Sequence, residues 1–458
     1  MESGQWSRRT VLAGGSAAAA ALVMGADPVI AGPGYSSLAE EAVVWGFPLV
    51  FFGLYLDAAI ANGVAFNRFS MSSQVANARS KAVGPNIDTL NGRAWLDLAA
   101  GPQVIAVPDT ADRYYTVQLQ DMYMNSFSYI GRRTTGTGPG AYAITPPGFA
   151  GALPNGVTAI PAPTGKVLAF VRTLVNGADD LDNARAINAA MTIGPLSDYP
   201  RGQVAAHLGE GALDAFQPAS RSRGLLPHQE VAQSGAAFFD RLDHLLAQYP
   251  PSPVDVARAA RFAPLGIGGS RDPALTDAEL AAAVEGGVAL AVRSVQSWPE
   301  NGWLRRRNVE GVPADPLVRA ADNIYGPGTQ VAEESVFYNL RKGLDGTTLN
   351  GANRYRMRFP AGGLPPVDAF WSLTLYDGNY FLFGNPLDRY GLNDRTEGLR
   401  LGEDGSLELW VQAEPPPSGT ANWLPAPQGD FQLVFRTYQP RQPILDGSYR
   451  LPPLEKVG

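Results

Sequence analysis

Two aspartates are the first residues able to do chemistry. Asp88 closes Asn86-Ile87-Asp88, and Asp121 is followed by Tyr123 and Asn125. Side chains on one face of adjacent strands come within about 5 Å, so Asp88, Asp121 and Tyr123 are candidates to converge. Paired carboxylates in unlike environments act as general acid and base, as in glycoside hydrolysis. Asp88, Asp121 and Tyr123 are therefore the catalytic expectation, with Asn86 and Asn125 orienting a substrate. The same oxygens suit a hard divalent cation such as calcium or magnesium, the one cofactor the sequence suggests. Arg389, Tyr390, Asn422 and Trp423 form a second binding set, since a Trp beside an Asn suits stacking on a sugar ring. The competing roles are structural: Asp88 as a turn residue and Trp423 as a core residue.

Other chemistries are poorly served. His207, His228 and His244 show no metal-pair spacing, and cysteine is absent. No Gly-x-Ser-x-Gly elbow occurs, and Gly266-Ile-Gly-Gly-Ser270 lacks the Lys-Ser/Thr of a phosphate loop. With 36 basic and 43 acidic residues, the chain carries a net charge of −7. That disfavours nucleic acid and anionic lipid as partners, leaving a neutral or cationic small molecule or a glycan as the expected ligand.

The address is written at the start. Ser7-Arg8-Arg9-Thr10-Val11-Leu12 precedes an alanine-rich run, the form of a twin-arginine signal over residues 1–32. The expected location is periplasmic or extracellular. No later run is read as a membrane span.

The elements that must position these residues are strands, and they come twice. Arg113–Asp121 matches Ala369–Asp377, Pro161–Gly165 matches Pro425–Gly429, and Arg172-Thr173 matches Arg436-Thr437. Thr89–Gly92 likewise recurs as Thr348–Gly351, and Leu181-Asp182 as Leu445-Asp446. In the first copy Tyr115, Val117, Leu119 and Asp121 share one face, while Thr116, Gln118 and Gln120 take the other. Short β-branched runs between turn residues imply a mainly β chain with two related antiparallel β-sandwich or jelly-roll-like domains, 40–182 and 333–458. Between them, 183–332 reads as a mainly helical connection. Ala236, Phe239, Leu242 and Leu246 are spaced for one helix over 230–246, and Thr276 with Glu279 forms a capping box opening another that runs to Trp298. Residues kept in both copies, such as Asn91/Asn350, Asp121/Asp377 and Arg172/Arg436, are assigned to the shared fold; those unique to one copy are assigned to a site.

Asn86–Leu90, Val107–Thr110 and Gln120–Asn125 resemble the family called domain of unknown function 1254. Pro365–Asp377, Arg389-Tyr390 and Asn422–Pro427 resemble its companion, domain of unknown function 1214. The resemblance implies two β domains with a helical region, often secreted and homo-oligomeric, and no established reaction. The stretch Glu333–Asn339 departs from the expected start of the companion domain. Two functions follow as expectations: a secreted carboxylate-based hydrolase with its substrate in an inter-domain cleft, or a non-catalytic ligand-binding or structural protein.

Overall fold

The computed structural model describes residues 35–80, 84–218, 227–272 and 275–457. The twin-arginine segment lies outside the described residues. Strand outweighs helix, 28% against 24%, so the chain is mainly β.

The first described element is nevertheless a helix, α1 (Leu38–Ala61), capped by Ser37 Oγ accepting from the Glu40 amide at 3.1 Å. It is apolar on every side, and such a helix belongs inside a protein or a membrane. Two expectations are corrected by it. The stretch from residue 40 opens on a helix, and that helix is, by length and composition, long and apolar enough to cross a bilayer. Of its most apolar window, 78% is buried within the protein.

The chain then builds a sandwich from β1 (Ser70–Met71), β2 (Thr89–Asp97), β3 (Gln103–Val107), β4 (Tyr115–Gln120) and β5 (Ser126–Gly131). It continues with β6 (Gly140–Thr145), β7 (Val157–Pro161), β8 (Lys166–Leu174), α2 (Leu181–Ala190), β9 (Thr192–Pro195) and β10 (His207–Leu208). One sheet runs β10-β1-β2-β8-β4-β5 and the other β7-β6-β3-β9. Tyr115, Val117 and Leu119 pack against Ile105, Ile144 and Ile193 of the facing sheet, as the period-two pattern requires. Thr116, Gln118 and Gln120 are thereby turned to the sheet's outer face.

The helical connection holds α3 (Ala237–Gln248), α4 (Asp277–Arg293) and α5 (Pro316–Asn323). The single helix expected over 230–246 is broken: one short helix ends at Ala232 and α3 begins at Ala237. Gly235 between them takes φ +55°, a left-handed conformation that ends a helix. The Thr276–Glu279 capping box forms, but α4 stops at Arg293 rather than Trp298. Trp298 instead joins a hairpin that extends the next sheet.

That sheet belongs to a second sandwich of β11 (Ser297–Glu300), β12 (Trp303–Arg306), β13 (Ser335–Leu340), β14 (Tyr355–Phe359) and β15 (Val367–Asp377). β16 (Gly391–Asn393), β17 (Leu407–Gln412), β18 (Trp423–Pro425), β19 (Phe431–Pro440), α6 (Gln442–Leu445) and β20 (Leu454–Lys456) complete it. Its sheets run β11-β12-β13-β19-β15-β16 and β18-β17-β14-β20. Strands β13 to β20 thus repeat the placing of β2 to β9, and α6 repeats α2 before the last strand. The register repeats as well: Arg172 faces Thr116, and Arg436 faces Ser372. One matched block is not equivalent. Thr89–Gly92 opens β2, whereas Thr348–Gly351 lies between β13 and β14, and the departing Glu333–Asn339 stretch supplies the strand in the place of β2.

Candidate functional site

The outer faces of the two six-stranded sheets approach each other. Their seam is apolar: Tyr114 and Leu174 from the first sandwich meet Phe370 and Tyr438 from the second. Phe370 and Tyr438 stack at 4.1 Å, and Tyr114 sets its edge against both at 5.3 and 5.5 Å. Beside this seam opens a cleft of about 640 Å³, a size that suits a small molecule.

Its lining is cationic. Among the described residues, Arg79, Arg93, Arg172, Arg306, Arg307 and Arg436 line it against two carboxylates, Glu210 and Asp214. Arg79 and Arg307 have acidic partners, Glu210 and Asp322. Arg172 and Arg436 are different. They are 9% and 4% exposed, yet neither forms an ion pair among the described residues. Arg172 donates to Gln118 Oε1 at 2.9 Å and to the Gly328 carbonyl, and its guanidinium lies 4.1 Å over Phe170. Arg436 donates to Thr374 Oγ1 at 2.9 Å and Tyr376 Oη at 2.7 Å, and lies 5.3 Å over Phe337. All of these partners are neutral. Glu334, whose field reaches Arg172, is held by Arg133 Nε at 2.5 Å. Burial pulls the Arg172 pKa below the ordinary arginine value. A buried cation without an ion-pair partner is costly, and this wall of the cleft keeps two of them.

The expected catalytic set does not assemble. The Val175 amide donates to the Asp88 carbonyl at 2.9 Å, placing Asp88 at one end of β8. Gln120, next to Asp121, pairs with Leu168 near the other end. Seven residues of strand separate those positions, roughly 20 Å at about 3.3 Å per residue. General acid–base pairing needs less than about 10 Å, so the pairing is corrected. Asp88 is spent on Ser372 Oγ at 2.6 Å and Arg395 at 3.1 Å. Asp121 is buried and caps the following turn, accepting from the amides of Tyr123 (2.9 Å) and Asn125 (3.0 Å) and from Asn125 Nδ2 (3.0 Å). Asp377 accepts from the amides of Asn379 and Phe381 at the equivalent corner. Tyr123 donates to the Tyr249 carbonyl at 2.8 Å within the helical core.

Of the nine residues singled out from the sequence, Asn86 alone lines the cleft, its Nδ2 donating to Tyr438 Oη at 2.5 Å. Arg389 Nη1 donates to the Thr420 and Trp423 carbonyls, and Tyr390 Oη donates to Asp388. Asn422 bridges Arg400 and Glu408 backbone groups. Trp423 is 5% exposed and donates to the Gln412 carbonyl, so it is a core residue with no face for a sugar. The cation expectation fits no better. Both Asp88 oxygens are taken, and among the described residues no three carboxylate or histidine groups gather to hold a metal.

Recurrence in both copies assigns Arg172 and Arg436 to the shared fold rather than to a site. The signal was present in the parity pattern: Arg172 falls on the polar face shared with Thr116 and Gln118.

Residues 66–195 match the family described as "Protein of unknown function (DUF1254)", and residues 334–442 match "Protein of unknown function (DUF1214)". The chain is similar in fold to the VPA0106 protein from Vibrio parahaemolyticus, with a TM-score of 0.70 and 22% identity over 92% of this chain and 99% of that one. A putative uncharacterized protein from Burkholderia cenocepacia matches at a TM-score of 0.43 and 13% identity, covering 89% of this chain and 87% of that one. No curated protein matches the chain.

Proposed function

We propose that this chain, which carries a DUF1254 region followed by a DUF1214 region, binds a small organic anion in the cleft between its two sandwiches. The observation that supports this is the lining: six arginines against two carboxylates, in a chain whose net charge is −7. Positive charge concentrated in one concave site of an acidic protein focuses anions into it. Arginine is the side chain suited to this task, because its planar fork meets carboxylate or phosphate with two parallel hydrogen bonds. The ligand is therefore an acid rather than the neutral or cationic molecule expected from the overall charge. Binding, rather than hydrolysis by Asp88 and Asp121, is the reading the geometry favours.

A thermal-denaturation screen of carboxylates, phosphates and neutral oligosaccharides tests it. Anions raise the melting temperature, high salt weakens the effect by screening, and neutral sugars leave it unchanged. If no anion stabilises the chain, the reading is wrong. We also propose export by the twin-arginine route, which rests on Arg8-Arg9 and the alanine-rich run after it. Cell fractionation checks that claim: the double variant Arg8→Lys, Arg9→Lys is retained in the cytoplasm.

A further inference from the structure

We propose that the ligand is a two-headed anion, with one acidic group for Arg172 and a second for Arg436 across an apolar middle. This rests on the anion-binding reading above and narrows it to a class of molecule.

The duplication places the two cations. Arg172 sits on β8 opposite Thr116 of β4, and Arg436 sits on β19 opposite Ser372 of β15, the same position in the same strand of each sheet. Both sheets turn that face to the cleft, so each sandwich contributes one buried guanidinium. Each is held by two neutral partners and backed by one phenylalanine, Phe170 or Phe337. A guanidinium has five N–H donors. Two side-on bonds therefore fix the plane of each group and leave donors for an incoming oxyanion.

A ligand with one acidic group would neutralise one sandwich's arginine and leave the other without a counter-charge in the same desolvated wall. A ligand with an acid at each end satisfies both. Between the two cations the lining is aromatic. Phe170 and Phe337 line the cleft, and Tyr438, buried in the seam behind it, stands in the field of both arginines. That surface suits a hydrocarbon chain or a flat ring between the two acids. The volume of about 640 Å³ is far larger than an inorganic ion needs. Arg306, which makes no ion pair among the described residues and lies 5.9 Å from the Tyr325 ring, adds a third cation to the lining.

Calorimetric titration of the full chain tests this with matched probes: benzoate against benzene-1,4-dicarboxylate, and butyrate against unbranched diacids of increasing length, with inorganic phosphate alongside. The best diacid is expected to bind at least about tenfold more tightly than its monoacid. Arg172→Gln or Arg436→Gln should each bring the diacid down to about the affinity that the wild type shows for the monoacid, a loss of at least about tenfold. Arg172→Lys and Arg436→Lys keep the buried charge if the Gln variants fail to fold. They lose the fork that grips a carboxylate, so the diacid preference should fall in them too. Equal binding of monoacids and diacids, or a preference untouched by all four variants, overturns the two-headed ligand and leaves the anion reading standing. Absence of binding by every acid and by phosphate overturns both.

Discussion

Asp88 and Arg395, 307 residues apart in the chain, form a 3.1 Å ion pair across the junction of the two sandwiches. The Asp88 side chain has no exposed surface, and its other oxygen accepts from Ser372 Oγ at 2.6 Å. Arg395 also lies 4.3 Å over Phe370, one of the seam aromatics. A carboxylate just ahead of the first sandwich's β2 thus finds its side-chain partners in the second. Asp88 fastens the walls of the cleft and takes no part in lining it.

Asp88→Asn should keep the Ser372 contact while leaving Arg395 with Asp394 as its remaining carboxylate. Breaking a buried pair from one side costs several kcal/mol, and the remaining partner reduces this to about 2–3 kcal/mol. Urea denaturation should show a lower midpoint, while anion affinity in the folded protein stays near wild type. A loss of ligand affinity at unchanged stability would return Asp88 to the site.

Burial raises the pKa of both Asp121 and Asp394 to about 6. In the unfolded chain an aspartate titrates near about 3.9. The native state therefore holds these protons more tightly, and the stability they contribute is fully present below about pH 4 and lost as pH rises through about 6. For Asp121→Asn, which cannot ionise, stability relative to wild type should improve by about 2 kcal/mol between pH 4 and 7. Denaturation of both proteins across that range measures it; a constant difference would mean that Asp121 titrates normally.

Gly328 holds φ +92°, and a Cβ there would come within 2.9 Å of the Phe170 ring and 3.0 Å of Arg172 Nη2. Its carbonyl is also one of the two acceptors that fix Arg172. Gly328→Ala should strain the loop by about 1–2 kcal/mol and push the guanidinium out of line. Diacid affinity should drop by more than the small loss of stability explains, which paired titration and melting experiments will show.

The helical layer is held by a close approach. At Gly287 of α4 an added Cβ would sit 2.7 Å from Val43 Cγ1 of α1 and 3.2 Å from the Glu40 carbonyl. Gly287→Val should overpack that contact at a cost of about 1–3 kcal/mol, read as a lower melting temperature. A variant as stable as wild type would show that the two helices separate freely.

Much of the β architecture was legible in the sequence because a strand declares its two faces locally. Tyr115, Val117 and Leu119 alternate with Thr116, Gln118 and Gln120, and the structure sends the first set inward and the second outward. The capping box at Thr276 was legible for the same reason, since its groups lie three residues apart. The break at Gly235 was not, because apolar spacing does not report a glycine's left-handed φ; nor was the buried helix α1, because an apolar run with no periodicity has no face to read.

By itself, then, the sequence determined the doubled β unit, the inward and outward faces of its strands and its shortage of histidine and thiol chemistry. Those properties follow from residue types and spacings within a few residues. The tertiary structure alone decided that Asp88 and Asp121 are separated by the length of a strand and that Asp88 is consumed by Arg395. It alone also set the two outward-facing arginines of the repeated strands against one cleft. Each is a relation between segments far apart in the chain, set by how one sandwich packs on the other, and no local pattern encodes it.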